Sequence, residues 1–273
     1  YKATIDAVAA RQLPAARDTD KLTVSFKPSM FSVIVPTDSR PDRIKLLAEA
    51  YDRIQEVVAY AKARDVRMTL EAEDHRWADF HLDTYFSLLK AGYSNLGTVL
   101  QARLFRTKDD IKRFDESTRV RMVIGIYNEP ASIALTEKPK MKEILVEYAA
   151  ELAARGSYIE LATHDSDCVD NFMQKVAIPQ RLPANRFETQ FLLGVPRDDL
   201  QQALVSGKYF AGVADNASGK TLEYLSDMAR TGVPVRMYLP YGKDAVAGPY
   251  CRRRLKANPN MMAYGIKNLL HLK

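Results

Sequence analysis

Short runs of apolar and β-branched residues alternate along the chain with longer stretches in which apolar residues recur at helical spacing. In residues 40–64, for example, Ile44, Leu47 and Ile54 fall on one face of a helix. The alternation predicts eight strands, at residues 21–27, 67–73, 98–104, 120–126, 158–164, 187–193, 210–215 and 235–239. A helix is predicted after each strand, and a tail helix is predicted over residues 261–270.

This alternation favours a closed parallel sheet. Neighbouring parallel strands need a crossover long enough to hold a helix, and eight such strands close into a (βα)₈ TIM-type barrel of usually ~250 residues. An open doubly wound sheet would have a glycine-rich turn after its first strand, and Lys27-Pro28-Ser29 is not one. We expect one catalytic domain over residues 1–273. It would comprise an N-terminal extension (1–20), the barrel (21–258) and a C-terminal helix over the barrel mouth (259–273).

Composition and charge exclude several classes of protein. Hydrophobic residues make up 47% and charged residues 27% of the chain, a balance that excludes disordered and collagen-like proteins. Two cysteines, Cys168 and Cys251, exclude a disulfide scaffold and a four-cysteine zinc site, and they favour a reducing compartment. The net charge of +6 is spread along the chain, which argues against nucleic-acid binding and fits an anionic small-molecule ligand equally well.

The sequence contains no candidate membrane-spanning segment. Its longest apolar runs, such as Val120–Ile126, are far shorter than the ~18 residues that a bilayer requires. The sequence as given does not open with the basic segment and apolar run of a cleaved leader. We therefore expect a cytoplasmic protein.

Polar side chains at the C-terminal ends of the predicted strands are the candidates for chemistry, because barrel enzymes place their sites there. They are Lys27, Glu71, Glu73, Gln101, Arg121, Thr163, His164, Asp165, Glu188, Gln190, Asp215, Asn216 and Tyr238. Arg121 lies in an apolar strand and needs a partner, which could be a carboxylate such as Glu71 with a purely structural role.

Two site chemistries remain open at this point. Glu71, His164, Glu188 and Asp215 have the ligand types of a metal site. Alternatively, Arg121, Gln101 and His164 could hold an anionic or redox cofactor. The charges of Lys27, Arg121 and a protonated His164 argue against a dication, so we expect no metal.

A cluster of arginines follows the last predicted strand, at Tyr250-Cys251-Arg252-Arg253-Arg254. On a helix, Tyr250 shares one face with Arg253 and Arg254. Because a guanidinium group binds a carboxylate with two parallel hydrogen bonds, this cluster is a candidate carboxylate clamp. The aromatic side chain of Tyr238, at the end of the last strand, supports that interpretation.

Seven motifs, in order and on the predicted strands, resemble those of the proline dehydrogenases, which are flavoenzymes with a modified (βα)₈ barrel. The motifs are Val24-Ser25-Phe26-Lys27, Glu71-Ala72-Glu73, Leu100-Gln101-Ala102, Arg121-Met122-Val123-Ile124-Gly125-Ile126-Tyr127, Ala162-Thr163-His164, Phe187-Glu188-Thr189-Gln190, and Arg236-Met237-Tyr238-Leu239-Pro240-Tyr241-Gly242 with Tyr250-x-x-Arg253-Arg254-Leu255. Each motif is weak alone, but together they cover residues 21–258 and are specific.

The resemblance implies FAD-dependent oxidation of L-proline to 1-pyrroline-5-carboxylate by hydride transfer to flavin N5, with a quinone as electron acceptor. It implies that Arg121 acts near flavin N5 and that Glu71 is the second catalytic residue. It assigns the cofactor contacts to Ala72, Gln101, Arg121, Val123, Ile124, Gly125, Ile126, Thr163 and His164. It assigns the proline contacts to Lys27, Tyr238, Tyr250, Arg253 and Arg254.

Four positions depart from the family pattern: Glu71 replaces an aspartate, Ile124 a lysine, Asp165 an asparagine and Ala257 an acid. These departures bear on which substrate the protein would oxidise more than on its fold or on its flavin cofactor. One alternative is a related flavin-dependent dehydrogenase or oxidase of another cyclic or N-alkyl amino acid. Two others are a metal-dependent isomerase or lyase on the same barrel and a barrel that binds an acidic metabolite without catalysis.

Overall fold

The computed structural model describes residues 1–240 except positions 13, 16 and 216, together with the isolated positions 248 and 252. Two compact units divide the chain, one over residues 1–160 and one that begins at Leu161. The helices predicted over residues 247–257 and 261–270 lie outside the described residues. None of the helices in the described ranges is long and apolar enough to cross a membrane.

Strands and helices alternate along the described chain up to residue 192, and three successive helices then precede the last described strand. The strands are β1 (Thr23–Phe26), β2 (Arg67–Leu70), β3 (Leu96–Gln101), β4 (Arg119–Val123), β5 (Tyr158–Ala162), β6 (Phe187–Leu192) and β7 (Val235–Tyr238). The α-helices are α1 (Lys2–Ala9), α2 (Arg43–Lys62), α3 (Ala78–Lys90), α4 (Thr107–Asp110), α5 (Lys138–Ala154), α6 (Ser166–Phe172), α7 (Asp198–Val205), α8 (Lys208–Ala214) and α9 (Gly219–Thr231).

The sheet is parallel wherever its pairing is described. In the first unit, β1, β2, β3 and β4 pair in chain order, with Phe26 opposite Leu70 and Gln101 opposite Val123. In the second unit, β6 pairs with β7. Within each unit the paired strands follow one another in chain order, and helices connect them as parallel pairing requires. Residues just after β1 to β4 therefore lie at one edge of the first unit.

The core of the first unit lies between these strands and their helices. Helix α2 buries Ile54, Val58 and Ala61, which follow the predicted helical spacing. Within the predicted N-terminal extension, the structure adds the short helix α1. Its Ile5 is fully buried where α1 packs against α2 and β1.

The strand predicted over residues 210–215 is wrong, because Lys208–Ala214 form helix α8. Gly207 precedes it with a φ of +76°, and a Cβ there would lie 2.1 Å from the carbonyl oxygen of Ala229. This left-handed residue turns the chain sharply from α7 into α8, which packs against α9. A short apolar run with one buried large residue, Phe210, is compatible with either a strand or a short helix. The strand predicted over residues 235–239 is consequently the seventh.

Candidate active site

Arg121 on β4 is the centre of a buried polar cluster in the first unit, with only 5% of its surface exposed. Its Nη1 donates to Glu71 Oε1 at 2.5 Å, and its Nη2 donates to Ser25 Oγ at 3.3 Å. Its Nε lies 3.4 Å from Glu160 Oε2. The predicted pairing of Arg121 with Glu71 is therefore present, and a second carboxylate accompanies it. A buried guanidinium ion needs such partners because isolated charges are costly to remove from water.

Arg119 lies two positions before Arg121, and residues two positions apart in a strand share one face of the sheet. Its Nη1 donates to Thr69 Oγ1 at 3.2 Å and forms an ion pair with Glu160. Its Nη2 donates to the carbonyl oxygen of Met68. Sequence reasoning missed both Arg119 and Glu160, because it considered only residues near strand ends. The Arg-x-Arg spacing in β4 was the available signal.

Gly97 on β3 makes room for the Arg119 side chain. A Cβ at Gly97 would lie 2.5 Å from Arg119 Cζ and 2.7 Å from its Nη2. Real Cβ atoms do not approach other heavy atoms so closely, so the glycine is required by close approach. Gly97 on β3 therefore accommodates the side chain of Arg119 on β4.

Gln101 and Gly125 lie together at the C-terminal edge. The Gln101 side chain is buried, and its Nε2 donates to the Glu73 carbonyl oxygen at 2.7 Å. Gly125 has a φ of +102°, and a Cβ there would lie 2.7 Å from Gln101 Oε1. Two requirements for glycine therefore coincide at Gly125, a left-handed conformation and a close neighbour. Ala72, which follows β2, lines the same small cavity as Gln101.

The segment after β4 continues beside β3. The carbonyl oxygens of Val123 and Ile124 accept hydrogen bonds from the next two residues after Gln101, at 2.8 and 3.1 Å. Arg103 donates to the carbonyl oxygens of Tyr127 and Leu135, which ties the segment down at its far end. Ile126 projects outward with 49% of its surface exposed. The predicted cofactor residues of β4 thus lie on one ordered stretch of backbone.

Lys27 and Glu73 lie at the ends of β1 and β2. Ser29 Oγ donates to Glu73 Oε1 at 2.7 Å, and burial raises the pKa of this carboxyl group above its ordinary value. Lys27 is half-buried, and its Nζ donates to the Tyr127 hydroxyl oxygen at 3.4 Å. Tyr127 ends the fourth motif in the sequence, yet sequence reasoning gave it no role.

The charges of this cluster are balanced. The cations Lys27, Arg119 and Arg121 are accompanied by the carboxylates of Glu71, Glu73 and Glu160, and Arg121 contacts two of these carboxylates directly. The predicted excess of positive charge is therefore offset in the first unit. A ligand here would meet a fixed, paired guanidinium group rather than a free cation.

In the second unit, His164 is held by residues around the end of β6. Its Nε2 accepts a hydrogen bond from Leu192 N at 3.3 Å, and Arg197 Nε donates to its carbonyl oxygen at 2.7 Å. In this contact Nε2 has the acceptor role of the ring nitrogen that carries no proton. Thr163 Oγ1 accepts from Asp165 N at 3.2 Å, and Asp165 begins helix α6 by accepting from Cys168 N.

Glu188 on β6 is completely buried and paired with an arginine of β7. Arg236 donates to its two carboxylate oxygens at 2.6 and 2.8 Å, and Gln190 Nε2 donates to it at 2.5 Å. Tyr238 is half-buried at the end of β7, and its carbonyl oxygen accepts from Leu193 N.

Three residues of the alternative metal site are paired with arginines or lie away from a strand end. Glu71 and Glu188 are each paired with an arginine. Asp215 follows helix α8 instead of ending a strand. The remaining predicted substrate residues, Tyr250, Arg253 and Arg254, lie outside the described residues, as does Asn216.

A groove of about 470 Å³ opens elsewhere in the first unit, between α2, α3 and the loop before α2. Its charged residues have internal partners: Arg43 donates to the Pro36 carbonyl oxygen, and Asp79 and Asp83 pair with arginines. None of the predicted site residues lines this groove.

Comparison with known proteins points to one family. The family model described as proline dehydrogenase matches residues 1–128. The proline dehydrogenase of Deinococcus radiodurans is 30% identical over 216 residues, which are 78% of this chain and 61% of that protein. Proline dehydrogenase 1 of Bacillus subtilis subsp. natto is 29% identical over 222 residues, 81% of this chain and 64% of that protein. The chain thus spans less than two thirds of the length of these relatives.

Solved structures confirm the predicted fold, a (βα)₈ TIM-type barrel in modified form. Proline utilization A from Bdellovibrio bacteriovorus, inactivated by N-propargylglycine, superposes with a TM-score of 0.73 at 19% identity, over 96% of this chain and 28% of that one. A mutant of Bradyrhizobium japonicum proline utilization A gives 0.70 at 21% identity, over 93% of this chain and 25% of that one. In its fold, its ordered motifs and these relatives, the chain is similar to the proline dehydrogenases.

Proposed function

We propose that this chain oxidises L-proline to 1-pyrroline-5-carboxylate with FAD as its cofactor. The observation that carries the proposal is the buried Arg121, held between two carboxylates at the edge where Gln101 and Gly125 also lie. The proposal extends to this chain the activity for which its longer relatives are named.

Two features of the first unit fit a flavin. Arg121 offers a guanidinium group whose position is set by Glu71, Ser25 and Glu160. The backbone of residues 123–126 runs at the same edge, where hydrogen bonds to Ala102 and Arg103 hold it in place. We assign cofactor contacts to this backbone, from Val123 to Ile126, and to Ala72 and Gln101.

When bound, FAD would take up the hydride that leaves C5 of proline. The role of Arg121 is to present a fixed positive charge where negative charge develops, and a group that is already oriented needs no rearrangement during the reaction. Glu71 holds Arg121 Nη1 on one side, which keeps the guanidinium plane in one orientation. No side chain has to act as a nucleophile.

Assignment of the remaining residues rests on the family resemblance. Thr163 and His164 are proposed as further FAD contacts. Arg253 and Arg254 are proposed to bind the proline carboxylate, with Lys27 assisting. Tyr238 and Tyr250 are proposed to enclose the pyrrolidine ring. A clamp of this type places the reacting carbon in one orientation, which contributes to rate without new chemistry.

The acceptor and the location are part of the same proposal. A quinone would reoxidise the flavin, and the protein would work in the cytoplasm with peripheral contact to the inner membrane. A water-soluble quinone analogue and a membrane preparation can be compared as acceptors in a steady-state assay. Turnover with oxygen alone would contradict the quinone assignment.

The proposed activity is tested by anaerobic addition of L-proline to the purified protein. We expect a yellow protein whose flavin absorption is lost on addition of L-proline, with formation of a product that condenses with o-aminobenzaldehyde. D-proline serves as the matched control and should leave the spectrum unchanged. A colourless protein that does not take up added FAD, or a yellow one that L-proline does not bleach, would refute the proposal.

A second candidate substrate class follows from one departure. Glu71 replaces the aspartate of the family pattern with a side chain one methylene longer, and it reaches Arg121 directly. The longer side chain changes the shape of the site beside this carboxylate, which favours another cyclic or N-alkyl amino acid as the substrate. A panel of such amino acids in the same bleaching assay separates the two candidates, since the true substrate should have the highest kcat/KM.

A further inference from the structure

Three buried side chains and the half-buried Glu71 form one continuous chain of opposite charges in the first unit. Glu71 contacts Arg121, Arg121 contacts Glu160, and Glu160 contacts Arg119. We call these four residues the ion-pair chain. Both arginines and Glu160 expose no more than 5% of their surface. Glu160 is the link, since its two carboxylate oxygens face different arginines.

Arg119 is built into the sheet and kept away from any substrate. Its guanidinium group occupies the space left by Gly97, and Thr69 Oγ1 and the Met68 carbonyl oxygen accept its other hydrogen bonds. An arginine in this position cannot bind a ligand at the strand ends. Its influence on such a ligand would have to pass through Glu160.

We propose that Arg119 and Glu160 are positioning residues that set the orientation and the effective charge of Arg121, and thereby the reduction potential of the bound flavin. This inference rests on the proposed function. Glu160 divides its negative charge between two arginines. Interactions between charges at such distances are strong in a buried site, so a change in one partner of Glu160 is transmitted to the other.

The direction of each effect follows from charge. Removal of Arg119 leaves the full charge of Glu160 against Arg121, which lowers the positive potential at the flavin. Reduction of the flavin then becomes less favourable. Removal of the Glu160 charge has the opposite effect, because Arg121 loses a negative neighbour. Two residues with merely structural roles would not shift the potential in opposite directions.

The test measures the midpoint potential of the flavin-loaded protein in the wild type, Arg119→Met, Glu160→Gln and the double variant. For Arg119→Met we expect at least a tenfold loss in the equilibrium constant for flavin reduction, ~30 mV for a two-electron couple. For Glu160→Gln we expect a tenfold gain. The double variant should lie within threefold of the wild type. The rate of flavin reduction should follow the potential, while the KM for proline changes less than threefold.

Two further variants separate charge from packing. Arg119→Lys keeps the positive charge and should restore the potential to within threefold of the wild type. If Arg119→Lys shifts the potential as far as Arg119→Met does, charge is not the cause and the proposal fails. Should Arg119→Met not fold, the nearly isosteric Glu160→Gln carries the test alone, and the absence of a rise in potential overturns the proposal.

Failure of this inference is distinguishable from failure of the proposed function. If L-proline bleaches the wild type but both variants shift the potential in one direction, or by less than threefold, only the positioning role is wrong. If the wild type binds no flavin or is not bleached by L-proline, the proposed function is wrong and the positioning role falls with it.

Discussion

The two units of the chain handle buried charge in different ways. In the first, two arginines of one strand are linked through a shared carboxylate, Glu160. In the second, Arg236 on β7 binds both carboxylate oxygens of Glu188 on the neighbouring strand β6. The second arrangement joins two adjacent strands, so its expected contribution is to stability. The first couples Arg121 to another arginine, so its expected contribution is to the properties of Arg121 itself.

The largest expected effect tests the functional side of this comparison. Arg121→Met should lower the rate of flavin reduction by L-proline about 100-fold or more, because it removes a fixed charge that stabilises the developing negative charge. Stopped-flow measurement of flavin bleaching gives the rate. Arg113→Met is the matched control, since Arg113 is more exposed and pairs with Asp83. Equal rates for Arg121→Met and the wild type would show that Arg121 is structural.

The structural side is tested by Arg236→Met in the second unit. This variant leaves the carboxylate of Glu188 buried without its arginine, which should lower the free energy of unfolding by about 4 kcal/mol. Urea denaturation followed by circular dichroism gives the value. Arg230→Met removes an exposed pair with Asp227 and should cost less than about 1 kcal/mol. Similar losses for both variants would mean that the Arg236–Glu188 pair contributes no more than a surface pair.

A buried histidine of the first unit extends the comparison to pH. Burial lowers the pKa of His81 from 6.5 to about 4, and its Nε2 lies 2.8 Å from Thr98 Oγ1. The folded state keeps this ring neutral, whereas the unfolded state binds a proton near pH 6.5. Stability is therefore fully present above pH 6.5 and is lost as the pH falls toward 4, by about 3 kcal/mol in total.

Denaturation of the wild type and His81→Gln at pH 7 and pH 4.5 measures the contribution of this histidine. We expect the variant to lose less stability on acidification than the wild type. An identical loss in the wild type and His81→Gln would rule out His81 as its source.

The smallest expected effect concerns the room made for Arg119. Gly97→Ala should cost about 2 kcal/mol, because the new Cβ would meet the Arg119 guanidinium group. The cost should largely vanish in an Arg119→Met background, which a double-mutant cycle measures. Gly212→Ala in α8 meets no atom within 4 Å and should be neutral or stabilising. A cost at Gly97 that persists without Arg119 would locate the strain elsewhere.

Much of this architecture follows from local sequence. The apolar spacing of residues 40–64 predicted α2, and the apolar run at residues 120–126 located β4 to within a few residues. The pairing of Arg121 with Glu71 was foreseen because a buried arginine must find a carboxylate. These features depend on neighbours in the chain or on a strong physical requirement, so a single sequence carries them.

Features that depend on distant partners were not predictable. Glu160 pairs with Arg119 across 41 residues of sequence, and nothing in the local sequence of β5 marks its glutamate as the partner of two arginines. Gly97 lies just before the third predicted strand, and nothing in the sequence near it shows that it accommodates Arg119. Residues 210–215 were predicted as a strand because so short a run has no distinct period. In the structure, the left-handed Gly207 precedes helix α8, which contains most of this run.

The most direct test of the account is a crystal structure of the flavin-loaded chain. The account predicts that the Arg121 guanidinium group lies within hydrogen-bond distance of the flavin ring and keeps its contacts with Glu71 and Glu160. A flavin ring bound away from Arg121, for instance in the groove between α2 and α3, would contradict it.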